Sequence, residues 1–96
     1  MKIYISGAIT DTDDYMERFA AMEEYLVAQG YTVINPAKVN ANLPTDTTWE
    51  EYMRMSMLML GMCDTICMLN GWEKSRGANR EYLWALDHNY SVMFEV

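Results

Sequence analysis

The chain reads as an α/β fold, a four-stranded parallel sheet with helices on both faces. Three observations predict it. Strand-like and helix-like periods alternate along the whole sequence, as strand, helix, strand, helix, strand, helix, strand. That order implies right-handed crossovers between parallel strands. No internal repeat, low-complexity tract or linker interrupts it, so residues 1–96 are expected to form a single domain. Placing the first strand centrally gives the strand order 2-1-3-4, with the topological switch point between strands one and three.

Each element has its own signal. Lys2 to Ser6 is a short strand ending at Gly7, and the polar cluster Thr10 to Asp14 supplies residues that start a helix. The next segment places Tyr15, Phe19, Met22 and Leu26 on one face, with Glu17, Arg18 and Glu24 turned away, and Gly30 is positioned to end it. Tyr31 to Ile34 is the second strand, stopped at Asn35-Pro36, where Asn35 closes the turn. Residues 36–48 lack periodicity and read as a loop. Thr48-Trp49-Glu50-Glu51 fits a capping box and opens a helix that continues to Met62 and is apolar nearly all the way around. Such a helix needs cover on two sides, and in a short chain a second copy is the simplest source, so a homodimer or homotetramer through helix 49–62 is expected. Methionine filling irregular core space is the competing explanation. Asp64 to Leu69 is the third strand, Arg76 to Asp87 the last helix, and Ser91 to Val96 the fourth strand.

Composition bounds the partners. Hydrophobic residues at 51% are ample for a core, although 96 residues is near the small end for this architecture. A net charge of −7 and a pI near 4.4 argue against nucleic acid or an anionic membrane as the main partner. No run of eighteen apolar residues occurs and Met1-Lys2 leads directly into a strand pattern, so a soluble, cytoplasmic protein is expected. Cys63 and Cys67, if both extended, stand roughly 13 Å apart and are read as buried free thiols. His88 lies in an Asp87-His88-Asn89 turn, so no convincing set of metal ligands exists and no cofactor is expected.

The chemistry concentrates at one corner. Gly71 to Glu81 follows the third strand and runs into the last helix, and ligands of open α/β sheets collect beyond the carboxyl ends of strands, where helix N-termini offer free N–H groups. Ser6-Gly7 and Gly71 to Ser75 are expected to meet across one crevice. Gly7, Gly71 and Gly77 allow close backbone approach, and Ser75 either caps the helix or donates to an anion. Glu81 has two placements open to it. Its neighbours at helical spacing, Gly77, Ala78, Trp84 and Ala85, form a stripe that should face the sheet, where a carboxylate is costly unless paired or used; alternatively it is a surface residue beside Arg80 or Lys74. Tyr4 is a core aromatic or a partner of that site. Trp72 packs under the long loop, serves an interface, or walls a ligand. Arg54 and Arg76 either meet an anion or, as the many carboxylates favour, enter surface ion pairs.

Taken together, Tyr4-Ile5-Ser6-Gly7-Ala8-Ile9-Thr10, Asn35-Pro36-Ala37, Cys63-Asp64 and Gly71 to Glu81 resemble the nucleoside 2-deoxyribosyltransferase-like superfamily, in particular its small, mostly uncharacterised bacterial and phage members. The resemblance covers essentially the whole chain, and its strongest element is Ser75, Gly77 and Glu81 combined with an aromatic first strand. It implies a flavodoxin-like three-layer sandwich, a dimeric or tetrameric assembly, and chemistry at the anomeric carbon of a nucleoside or nucleotide. By the same resemblance, Glu81 is the nucleophile that displaces the base, Tyr4 holds it, and Ser75 contacts sugar or phosphate. Ser6, Gly7 and Gly77 are further substrate contacts, and Trp72 is a possible wall for the base. Water or a second base then completes hydrolysis or transfer.

Departures from the pattern are specific. Ser56 stands where characterised members carry an aspartate against the departing base, and Ala8 and Thr10 stand where nucleotide hydrolases carry a phosphate-binding arginine. Asp64 opens its strand at the end away from the crevice and is read as structural. Two functions follow as expectations. One is an N-glycosidase or 2-deoxyribosyltransferase. The other is a nucleotide-binding protein that keeps the crevice without turnover.

Overall fold

The computed structural model describes residues 1–10 and 12–96; Asp11, in the expected helix-start cluster, lies outside them. The four parallel strands β1 (Lys2–Ser6), β2 (Thr32–Ile34), β3 (Thr65–Met68) and β4 (Ser91–Phe94) run in the order β2-β1-β3-β4. β1 is therefore hydrogen-bonded on both sides, with Tyr4 opposite Ile34 on one flank and Ile66 on the other. The ends of β2, β3 and β4 are trimmed by one or two residues from the sequence expectation, as fraying strand ends commonly are.

Strand alternation sorts the core into two layers. Ile3 and Ile5 on β1 pack with Phe19 and Leu26 of α1 (Tyr15–Ala28) and Ala37. Tyr4, facing the opposite way, packs with Ile66, Met68, Met59 and Leu60 of α3 (Trp49–Leu60), and Ala78 and Ala85 of α4 (Arg76–Asp87). Helices thus cover both faces of the sheet. Gly30, at φ 91°, takes the left-handed conformation that ends α1 and turns the chain into β2.

Residues 36–48 are not wholly a loop. Pro36–Asn40 forms α2, a single short helix that no periodicity could announce because it completes little more than one turn. Its start is nonetheless chemically specified. The Asn35 side chain accepts from the Lys38 amide at 3.3 Å, and Pro36 occupies the first turn, where its missing N–H costs nothing. Asn35 also donates to Glu23 of α1 at 3.1 Å, which ties α2 to its neighbour. A second short element, the 3-10 turn Trp72–Lys74, follows Gly71 at φ 89°.

At α3 the capping box is complete: Thr48 Oγ accepts from the Glu51 amide at 3.2 Å, and the Glu51 carboxylate accepts from the Thr48 amide at 2.9 Å. Asp64 accepts from the Lys2 amide and from the Thr65 hydroxyl, so it joins the starts of β1 and β3. No helix among the described residues is long and apolar enough to cross a membrane. Removing the cap by Thr48→Ala is expected to lower the unfolding free energy by about 1 kcal/mol, read from urea denaturation, with the sheet unchanged by circular dichroism.

Candidate functional site

The site begins with a two-residue repeat on the central strand. Tyr4 and Ser6, two apart on β1, project to the same side of the sheet, toward α4. On α4, Ala78, Glu81 and Ala85 are the buried residues, spaced to form one stripe against the sheet. Glu81 therefore points inward and is 5% exposed. Its two oxygens each have a donor: Tyr4 Oη–H donates to Oε2, and Ser6 Oγ–H donates to Oε1 at 2.7 Å. Of the two placements open from sequence, the structure adopts the inward one, and the surface pairing with Arg80 or Lys74 does not occur.

Burial dominates the electrostatics. It pushes the Glu81 carboxyl up from an ordinary value of 4.5 to about 7, against the opposing pull of the hydrogen bonds from Tyr4 and Ser6. Burial, and after it the charge of Glu81, raises the Tyr4 phenol well above its usual range. Tyr4 is therefore a neutral donor at physiological pH. Glu81 titrates near neutrality, so its neutral and ionised forms are both populated around pH 7.

Glu81 opens onto a cleft of about 410 Å³. β1 contributes Tyr4 and Ser6, followed by Gly7; α2 contributes Ala37 and Asn40; α3 contributes Trp49, Tyr52 and Ser56; and Ser75 and Gly77 stand at the start of α4. Among the described lining residues Glu81 is the sole carboxylate. Ser75 caps α4 by accepting from the Ala78 amide at 3.1 Å while also facing the cleft, so the two roles open from sequence are compatible. Gly7 is buried so closely under Leu69 that an added Cβ would lie 3.0 Å from the leucine Cβ, and Gly77 has Met53 Sδ 3.1 Å from the corresponding point. Both glycines let helix and strand backbones close around the cavity.

Two expectations are corrected. Trp72 does not line the cleft. It stacks at a tilt on Tyr82, with ring centroids 4.7 Å apart, and lies near Phe94 at 6.4 Å, because the left-handed turn at Gly71 carries the side chain to the β4 side. The crevice accordingly takes only Ser75 from the Gly71 to Ser75 stretch. Its aromatic lining is instead Tyr4, Tyr15, Phe19, Trp49 and Tyr52. Among the described residues neither Arg54 nor Arg76 makes an ion pair; the Arg76 guanidinium lies over the Trp49 ring, 4.0 Å from the centroid, joining the first turns of α3 and α4.

Sequence reasoning does not find Asn40. Its Nδ2 donates weakly to Ser56 Oγ at 3.4 Å, while its Oδ1 is buried without a partner. Ser56 in turn lies against the Tyr4 oxygen, where its hydroxyl opposes the upward shift of the phenol. Nothing in the sequence near Asn40 signals this, because the residue reaches the cleft only through α2.

The family described as "Domain of unknown function (DUF4406)" matches residues 1–94. The chain belongs to that family. No curated protein matches the sequence. Among solved structures, this DUF4406 chain is similar to a 2-deoxyribosyltransferase from the psychrotolerant bacterium Bacillus psychrosaccharolyticus, described as a biocatalyst for nucleoside synthesis, with a TM-score of 0.78 and 15% sequence identity over 98% of this chain and 71% of that one. The shared feature is the fold. The chain has the nucleoside 2-deoxyribosyltransferase-like, flavodoxin-like arrangement.

The raised Glu81 carboxyl has a stability consequence. A carboxyl that holds its proton more tightly when folded contributes stability that is fully present below 4.5 and lost as pH rises through about 7. The span corresponds to about 3 kcal/mol. Glu81→Gln should therefore gain on the wild type by an amount of that order between pH 4.5 and pH 8, measured by urea unfolding at both pH values. A constant difference across the range would show that Glu81 is not buried as a neutral acid.

Proposed function

We propose that residues 1–96 act as a single domain that breaks the N-glycosidic bond of a nucleoside or nucleotide, by hydrolysis or by transfer to a second base, with Glu81 as the nucleophile. The observation that carries this reading is the Glu81 carboxyl itself, buried at the wall of a ligand-sized cleft and held at both oxygens by hydroxyls of the central strand. The fold shared with a 2-deoxyribosyltransferase points to the same chemistry.

The proposed step is simple to balance. Ionised Glu81 attacks the anomeric carbon, the bond from that carbon to the base nitrogen breaks, and the base leaves with the electron pair and takes up a proton from solvent water, a proton that is returned when water or the second base loses one in the next step. Water or a second base then attacks the glycosyl ester and frees the carboxylate. Tyr4 and Ser6 orient Glu81 and disperse its charge before attack. The sugar is taken by Ser75 and the backbone around Gly7 and Gly77, and the base lies toward Tyr52 and Trp49. Ser56 faces the cleft where an acid would protonate the departing base. A hydroxyl cannot do so efficiently, and a well-placed acid contributes about a hundredfold or more. This favours slow turnover, and in its limit a second reading in which the protein binds nucleotides without cleaving them.

We further propose that the protein self-associates through α3. Leu58 and Met62 are 69% and 61% exposed, and Met53, Met57 and Leu58 border a groove edged by Glu50, Arg54 and Arg80. Leu58→Lys should convert the assembly to monomer in sedimentation velocity. A wild type that sediments as a monomer at high concentration overturns the proposal.

Release of free base from a panel of deoxynucleosides and their monophosphates, followed by chromatography, tests the activity. Wild-type protein should release base, and Glu81→Ala should lose at least about a hundredfold in rate. Since attack needs the ionised carboxyl, kcat/KM should climb as pH rises through about 7 and level off above it. Tyr4→Phe removes a donor that lowers the Glu81 pKa and should move that rise to higher pH. Inert protein whose melting temperature still rises with a nucleotide present would support the binding reading.

A further inference from the structure

Among the described residues, every fully buried side-chain polar atom of the cleft has a partner except one. Glu81 is satisfied at both oxygens, Tyr4 and Ser6 donate to it, and Ser75 accepts from α4. The exception is Asn40 Oδ1, which is buried and unpaired on the cleft wall. A buried carbonyl oxygen without a donor is costly to the free protein, and a ligand that supplies an N–H removes that cost on binding. Asn40 is the last residue of α2, and its Nδ2 leans on Ser56 of α3 at 3.4 Å. Next to Ser56 on that helix, Trp49, Tyr52 and Met53 form an apolar wall suited to a flat ring. The reactive carboxylate lies on the far side of Ser56 and Tyr4. A ligand with its sugar at Glu81 thus reaches Asn40 with its base.

We infer that Asn40 is the specificity-determining residue of the cleft, and that it selects nucleobases with an amino group at the purine 6 or pyrimidine 4 position by accepting an amino N–H on Oδ1. This rests on the nucleoside reading of the cleft given above and narrows it to adenine- or cytosine-type bases. The side chain is chemically suited to the task. One amide can accept from an amino group while donating its second Nδ2 proton to the adjacent ring nitrogen, the pairing asparagine makes with adenine. Selection follows because a base lacking the donor leaves Oδ1 buried and unpaired in the complex as well.

The test measures binding on Glu81→Gln protein, which cannot turn the ligand over, by calorimetry with two matched pairs. These are 2′-deoxyadenosine against purine 2′-deoxyriboside, and 2′-deoxycytidine against its analogue without the 4-amino group. In at least one pair the amino ligand should bind about tenfold tighter or more. Adding Asn40→Ala should bring that ratio close to one. Adding Asn40→Asp, which keeps an acceptor at the same place, should preserve the ratio, and far-UV circular dichroism establishes that each variant is folded. Equal binding within both pairs overturns the assignment, and this arm needs no Asn40 variant to fold. A ratio that survives in folded Asn40→Ala also overturns it. Failure of all four ligands to bind would instead remove the nucleoside reading, and the inference with it.

Discussion

The structure turns on a carboxyl group largely withdrawn from water at the wall of a cleft and answered there by two hydroxyls. Glu81 comes from α4 and its partners from β1, so the contact joins the last helix to the first strand across 77 and 75 residues of chain. The alternation of β1 directs Tyr4 and Ser6 to one side, and the helical repeat of α4 directs Ala78, Glu81 and Ala85 to meet them. Small residues flank the glutamate on its stripe, which lets α4 sit near enough to the sheet for the hydroxyls to reach. Were these alanines large, the helix would stand off and the carboxyl would lose its partners.

Burial and hydrogen bonding act on this group in opposite directions, and the balance decides its use. Two donors alone would hold Glu81 ionised at any physiological pH, whereas burial alone would keep it protonated well past neutrality. The outcome, near 7, leaves both forms populated around neutral pH. The two buried thiols differ. Burial raises Cys63 and Cys67 to about 11, far outside the range in which a thiolate would form at neutral pH, and neither lines the cleft. They belong to the core.

Much of this architecture is legible in the order of the residues. The strand order follows from the alternation of periods, and the inward path of Glu81 is favoured by the small residues three and four positions away. Thr48 and Glu51 announce the start of α3 by their spacing. What escapes is short or depends on a turn. α2 completes little more than one helical turn, too few residues to display a period, and Asn35-Pro36 serves at once as the stop of β2 and the start of that helix. Trp72 depends on the left-handed conformation of Gly71, which aims the indole at Tyr82 rather than at the cleft. Asn40 acquires its position from α2 and its isolation from tertiary packing, and no local pattern encodes either. The roles expected of Ser75 and Tyr4 rest on the resemblance to the 2-deoxyribosyltransferase-like superfamily, because composition and spacing leave them undecided.

The cleft is built from two kinds of support. Tyr4 and Ser6 hang on β1, which is bonded to a neighbour along both edges. Asn40 and the rest of residues 36–48 hang on β2, a three-residue border strand with one neighbour. Substitutions or insertions in that border segment can reshape what the cavity admits while leaving the acid and its hydroxyls undisturbed. Such a division leaves the rim of the cavity free to vary while its innermost contacts stay anchored in the middle of the sheet.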